Sequence, residues 1–298
     1  MPGLILSERV TFPWMDIVMT ARKPDTPFAP RVVAARRWRS LAVAGATVGL
    51  VVGTSAIAEQ AAPVAIWLAQ STVEGGEGGE GGAAPDAQTE AEADAGYLAA
   101  LGRIEGYLRV GMALYEGGLA DMAKTHMKRP TDKIYADLEP ALAERGVAGF
   151  ADALTALATA VEAGAPLAEV TPAFDTVLAA LAAARSAESG PRHAFDALIL
   201  ITRDAAEDYG AGVVDGKIVD LHEYQDAWGF MQAARAMAEA LRASDDPQTK
   251  AAADKALAAI LATDAAFAGL APEGTVPGDA TVFQGAAARI EFAALSVK

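Results

Sequence analysis

With no cysteine and only three histidines, His126, His193 and His222, any metal centre in this chain must be built from imidazole, carboxylate, carbonyl and water. Such donors suit iron, manganese, calcium or magnesium, and copper where a methionine joins them. The missing cysteine also removes disulfides, thiolate zinc sites, iron–sulfur clusters and thiol nucleophiles. The densest group of candidate ligands flanks the segment GAGVVDGKIV, residues 210–219. Asp204, Glu207 and Asp208 precede it; His222, Glu223 and Asp226 follow it. Asp204 and Asp208 are four residues apart, as are His222 and Asp226, so each pair shares one face of a helix. Two short β-branched runs around Asp215-Gly216 are a strong hairpin signal. A hairpin there turns the second helix back along the first. All six residues then meet at one joint, as a candidate metal site.

The same residues support a plainer reading. Asp220 caps the second helix with Glu223 as its capping-box partner, His222 is solvated, and Asp204 and Glu207 face water. His126, in MAKTHMKRP, has two readings as well. With Met122 it could offer thioether and imidazole to copper. Alternatively it lies near a helix C-terminus with Lys128 and Arg129 and complements the dipole. His193 and Asp196, three apart, read as a structural pair. Tyr224, Trp228 and Phe230 read as core. The sequence holds no Gly-x-Ser-x-Gly elbow and no His-Glu-x-x-His motif, and no enzymatic activity is expected.

Helices must position these groups. Apolar residues make up 52% of the 298-residue chain and alanine dominates them, which favours helices over a β-sandwich. From Tyr97 onward the apolar residues step by three and four: Leu98, Leu101, Ile104, Leu108 and Met112 form one face. Gly117-Gly118 ends that helix. A short helix is expected to stop at Pro130, with Thr131 capping the next and Pro140 kinking or splitting it. Further helices carry Phe150 to Val161, then Phe174 to Leu181 behind a Thr171-Pro172 start. The next is restarted at Gly190-Pro191, and later ones open at Asp220 and Asp246-Pro247. A Gly/Pro stretch, 269–278, precedes a last helix with Phe283, Ile290 and Phe292. The expected fold is all-α: an antiparallel bundle of about eight helices, with one short β-hairpin or loop near 213–219. No repeat of fixed period is present, although the pattern leaves room for two four-helix halves.

Residues 1–58 read as an N-terminal extension and export signal. Arg31, Arg36, Arg37 and Arg39 precede an uncharged run, Leu41 to Ala58, that ends Ala56-Ile57-Ala58. The run is also long enough to act as an anchor. Both readings place the rest of the chain outside the cytoplasm, periplasmic or otherwise extracytoplasmic. Membrane contact is expected only through this segment. Residues 59–96 read as an acidic Gly/Glu-rich linker, and 97–298 as the helical-bundle domain. A net charge of −15 excludes nucleic acid as a partner and favours cations or basic proteins.

The stretch 204–237, DAAEDYGAGVVDGKIVDLHEYQDAWGFMQAARAM, resembles part of the extracytoplasmic helical region attached to bacterial high-affinity iron permeases. Asp208-Tyr209, the link Val214 to Val219, and Glu223-Tyr224-Gln225-Asp226 carry the likeness. The permease's own Arg-Glu-x-x-Glu membrane helices are absent, so the resemblance implies a free-standing relative of the external domain, not a channel. It also implies iron, or another divalent cation, as the ion, and a membrane metal transporter as partner. Imelysin-like periplasmic proteins are a more distant comparison. Their His-x-x-Glu motif is not met, since Arg129 follows His126 and Asp196 follows His193 at that spacing. The expected function is therefore to bind or deliver a metal cation beside a transporter. The alternative is an envelope interaction module with no metal.

Overall fold

Helix after helix is cut from alanine-rich sequence by glycine, proline and acidic caps. The computed structural model describes residues 87–187 and 190–298. The export segment and most of the linker expected at 59–96 lie outside the described residues. Among the described residues nine α-helices follow in order: α1 (Ala87–Glu116), α2 (Ala120–Pro130), α3 (Ala136–Glu144), α4 (Ala151–Glu162), α5 (Leu167–Ser186), α6 (Pro191–Gly212), α7 (Leu221–Arg242), α8 (Pro247–Leu261) and α9 (Thr281–Ala294). Between α6 and α7 stands a two-stranded antiparallel hairpin, β1 (Val213–Val214) and β2 (Lys217–Ile218). The all-α bundle and its hairpin are thus as expected.

The helices close two rings that share an interface. In the first, α1 packs on α2, α2 on α4, α4 on α5, and α5 on α1. In the second, α6 packs on α7, α7 on α8, α8 on α9, and α9 on α6. The rings meet where α1 lies against α6 and α7. That interface is tight because two glycines face each other. A Cβ on Gly229 would sit 2.4 Å from the Gly106 carbonyl oxygen, inside van der Waals contact. Leu101, Ile104 and Leu108 of α1 are wholly buried, as are Phe195, Leu198 and Ile201 of α6. Buried Glu105 of α1 is held by Arg109 and by Arg185 of α5, each at 2.6 Å.

Three boundaries differ from expectation, each for a physical reason. The first helix starts at Ala87, inside the tract read as linker, because Ala and Glu propagate the helix once Tyr97 and Leu98 anchor it. Pro130 does not stop α2. Thr131 is helical, not a cap, and a π turn (Thr131–Tyr135) carries the rod on into α3. Pro130 has no N–H and crowds the carbonyl one turn back. The wider π turn absorbs that mismatch, while burial of Met127, Pro130, Tyr135 and Leu138 keeps the rod on the core. With α2 and α3 counted as one rod, the described residues hold eight. Finally, α5 begins at Leu167 behind Pro166, so Pro172 lies inside it rather than at its start. By length and composition α5 is apolar enough to cross a membrane; it buries Val170, Val177, Leu181 and Ala184. Phe292 of α9 is 75% exposed and belongs to no core.

Candidate metal centre

The hairpin fixes the geometry of the joint. Asp215 and Gly216 both take positive φ, 51° and 73°, as a type I′ turn requires. Gly212 carries no side chain where the chain doubles back: a Cβ there would lie 2.6 Å from the Tyr224 nitrogen. Asp220 then caps α7, accepting from the His222 and Glu223 N–H groups. The reciprocal half of a capping box is not needed, since the Asp220 N–H donates to the Gly212 carbonyl. This frees the Glu223 carboxylate for other work.

Two tyrosines set the level of the two helices. Tyr209 and Tyr224 are buried with ring centroids 5.8 Å apart, in a cluster with Phe267 and Phe283. Their hydroxyls donate to the Ala266 and Gly269 carbonyls. Asp208 and Glu223 precede these anchors in the chain. The acid-Tyr pairs of the sequence are therefore an anchor with a ligand candidate beside it.

Carboxylate oxygens of Asp208, Glu223 and Asp226 lie within 4.8 Å of one another. Burial pushes the Asp208 carboxyl up to about 9, and the negative charges of Glu223, Asp226 and Asp204 add to the effect. Glu223 is raised as well, first by burial and then by Asp226. A hydrogen bond between Asp208 and Glu223 needs a proton, and Asp208 carries it. Asp226 is fully buried. Arg129 of α2 pairs with its Oδ2, stands 3.8 Å from Glu223, and stacks over the Tyr107 ring at 5.1 Å. The Tyr107 phenol is itself held protonated, by burial and then by the Asp226 charge.

His126 of α2 is wholly buried. Its Nε2 is 2.9 Å from Gln225 Oε1. Gln225 Nε2 donates to the Leu270 carbonyl, so Oε1 is the acceptor and His126 Nε2 carries the hydrogen. His126 Nδ1 stands 3.0 Å from Asp226 Oδ1, and neither atom has a hydrogen-bond partner.

Of the six residues expected to bind a cation, the fold thus gathers Asp208, Glu223 and Asp226. Asp204 borders the group and pairs with Arg103 of α1 at 2.8 Å. Glu207 is exposed and, one residue before Asp208 on a helix, is not brought into the group. His222 is exposed, with its ring centroid 5.6 Å from that of His126. The histidine that touches the group is His126, through Asp226. The helix-end reading of His126 does not hold, because the rod runs on through Thr131–Tyr135 into α3. Tyr107, Arg129 and Gln225 were not anticipated. Met122, His126 and Arg129 share one face of the helix expected to run up to Pro130, and that spacing was the available signal. Asp196 accepts from Arg192, and His193 Nδ1 lies 3.7 Å from Asp94.

Comparison with known families shows what part of the molecule is similar to. Residues 184–291 match the iron permease-associated 4-helix bundle domain. The match spans a little over a third of the chain. It takes in the whole α6–hairpin–α7–α8 unit and most of α9, which is the second ring. No curated protein and no solved structure matches. The matching segment supplies Asp208, Glu223 and Asp226; the first ring, outside it, supplies Tyr107, His126 and Arg129.

Proposed function

We propose that this chain is an exported, non-enzymatic helical module that binds a divalent cation, iron foremost, and presents it to a membrane iron transporter. The observation that carries the reading is the convergence of Asp208, Glu223 and Asp226 inside the segment that matches an iron permease-associated domain. Three carboxyls packed together repel one another, and Asp208 keeps its proton because of its burial and that repulsion. A cation replaces that proton and relieves the repulsion. Oxygen donors of this kind suit iron and manganese. Delivery requires an ion that can leave again, and protonation of Asp208 offers that exit.

Calorimetric titration with ferrous iron, manganese, copper and zinc tests it. One saturable site per chain is expected, lost in the double variant Asp208→Asn, Glu223→Gln. Binding no stronger than that of scattered surface acids would end the proposal. A second reading has one observation in its favour: Arg129 already neutralises Asp226 with no ion at all. On that reading the cluster is a structural ion pair in an envelope interaction module. The same titration separates the two.

A further inference from the structure

His126 touches the carboxylate cluster through Asp226, although the segment matching the permease-associated domain does not contain it. The imidazole is wholly buried and its Nε2 hydrogen is committed to Gln225. Its Nδ1 therefore presents either a lone pair or an extra proton to Asp226 Oδ1, 3.0 Å away. Both atoms are buried without a hydrogen-bond partner, a costly arrangement in a folded interior. Two adjacent ligands on an octahedral ion, each at about 2.1 Å, stand about 3 Å apart. The separation of these atoms is that of two neighbouring ligands. Gln225 fixes the ring and its tautomer, as the outer hydrogen bond of a metal-bound histidine does.

We infer that His126 Nδ1, beside Asp226, becomes a nitrogen ligand when an ion draws it in with Asp208, Glu223 and Asp226, making the centre a mixed imidazole–carboxylate site across the two rings. The inference rests on the cation-binding reading above and narrows its ion. Three carboxylates alone serve calcium and magnesium as well as they serve manganese or ferrous iron. An imidazole turns the preference toward transition metals. His222, exposed beside the His126 ring, is not a ligand.

Manganese(II) is the probe, since it accepts both donor types and is paramagnetic. Pulsed EPR of the full chain loaded with one manganese should show coupling to a histidine nitrogen, with the pattern changed when the protein is made with ¹⁵N-histidine. His222→Ala should leave the coupling intact. His126→Gln keeps a polar group in reach of Gln225 but removes Nδ1. It should abolish the coupling and weaken manganese binding about 10–100-fold, with calcium binding unchanged. The labelled wild-type spectrum needs no variant, so a poorly folded His126→Gln does not block the answer. Manganese bound with no nitrogen coupling overturns the inference and leaves the carboxylate site standing. Coupling lost in His222→Ala overturns it too, in favour of the other ring. If neither manganese nor ferrous iron binds saturably, the cation-binding reading falls first.

Discussion

A carboxyl group held largely out of water beside two others gains little by ionising until a cation joins it. Asp208 is in that position, faced by Glu223 and Asp226 of α7, Asp204 of its own helix, and Arg129 and Tyr107 from the first ring. Its folded value of about 9 lies far above that of an unfolded carboxyl. The unfolded chain gives up this proton as pH passes about 4, while the folded chain keeps it to about 9. Between those limits the unfolded state binds fewer protons, so the metal-free protein loses stability as pH rises. Below both limits Asp208 contributes nothing. Asp208→Asn removes the loss. Thermal melts in chelator should show the variant above wild type at pH 8, by about 2–4 °C for each kcal/mol recovered, and near wild type at pH 4. A variant that melts no higher at pH 8 would mean that Asp208 is ionised in the fold. The same substitution should abolish cation binding, a trade of function for stability.

At the scale of elements, the centre depends on how closely α1 can approach α7. Gly106 and Gly229 allow it, and Asp226 lies one turn before Gly229 on the same helix. Gly229→Ala forces a methyl against the Gly106 carbonyl and Val110, both 2.4 Å away. Backbone cannot yield as a flexible side chain does, so the cost should be about 1–3 kcal/mol, with cation affinity falling alongside. Gly285 of α9 is the contrast: a Cβ there meets nothing within 4 Å, and Gly285→Ala should raise stability by about 0.5–1 kcal/mol. Denaturant unfolding measures both. The legible parts of the sequence were those decided locally. Asp215-Gly216 dictates its own turn, Asp220 and Asp246 cap by their side chains, and the three- and four-residue spacing of leucines marks each buried face. What could not be read was decided by packing at a distance. Pro130 is a stop signal only when nothing holds the rod beyond it, and here Tyr135 and Leu138 are buried on the core. The helix holding His126 and Arg129 was legible up to Pro130, but nothing local shows that these two side chains reach Asp226, 100 and 97 residues away in sequence. Spacing within one helix pair found Asp208, Glu223 and Asp226 but had no means of choosing between His222 and His126.

The molecule as a whole couples its two rings through this centre. The carboxylates belong to the ring that matches the permease-associated domain, and Arg129 and His126 belong to the ring that does not. An ion held by both should act as a clasp at the interface of α1 and α2 with α6 and α7. Free ion at about 100 times its dissociation constant stabilises the folded state by about 2.7 kcal/mol, a rise in melting temperature of roughly 5–10 °C. Manganese or ferrous iron should produce that rise and a chelator should reverse it. Where the stabilisation falls is more telling than its size. Hydrogen exchange on the loaded protein should slow in Ala120–Pro130 of α2 as well as in α6 and α7, because local opening of α2 would then require releasing the ion. In His126→Gln the slowing should remain in α6 and α7 and vanish from α2. Slowing confined to α6 and α7 in wild type would show an ion held by the second ring alone, with the first serving only as its cover.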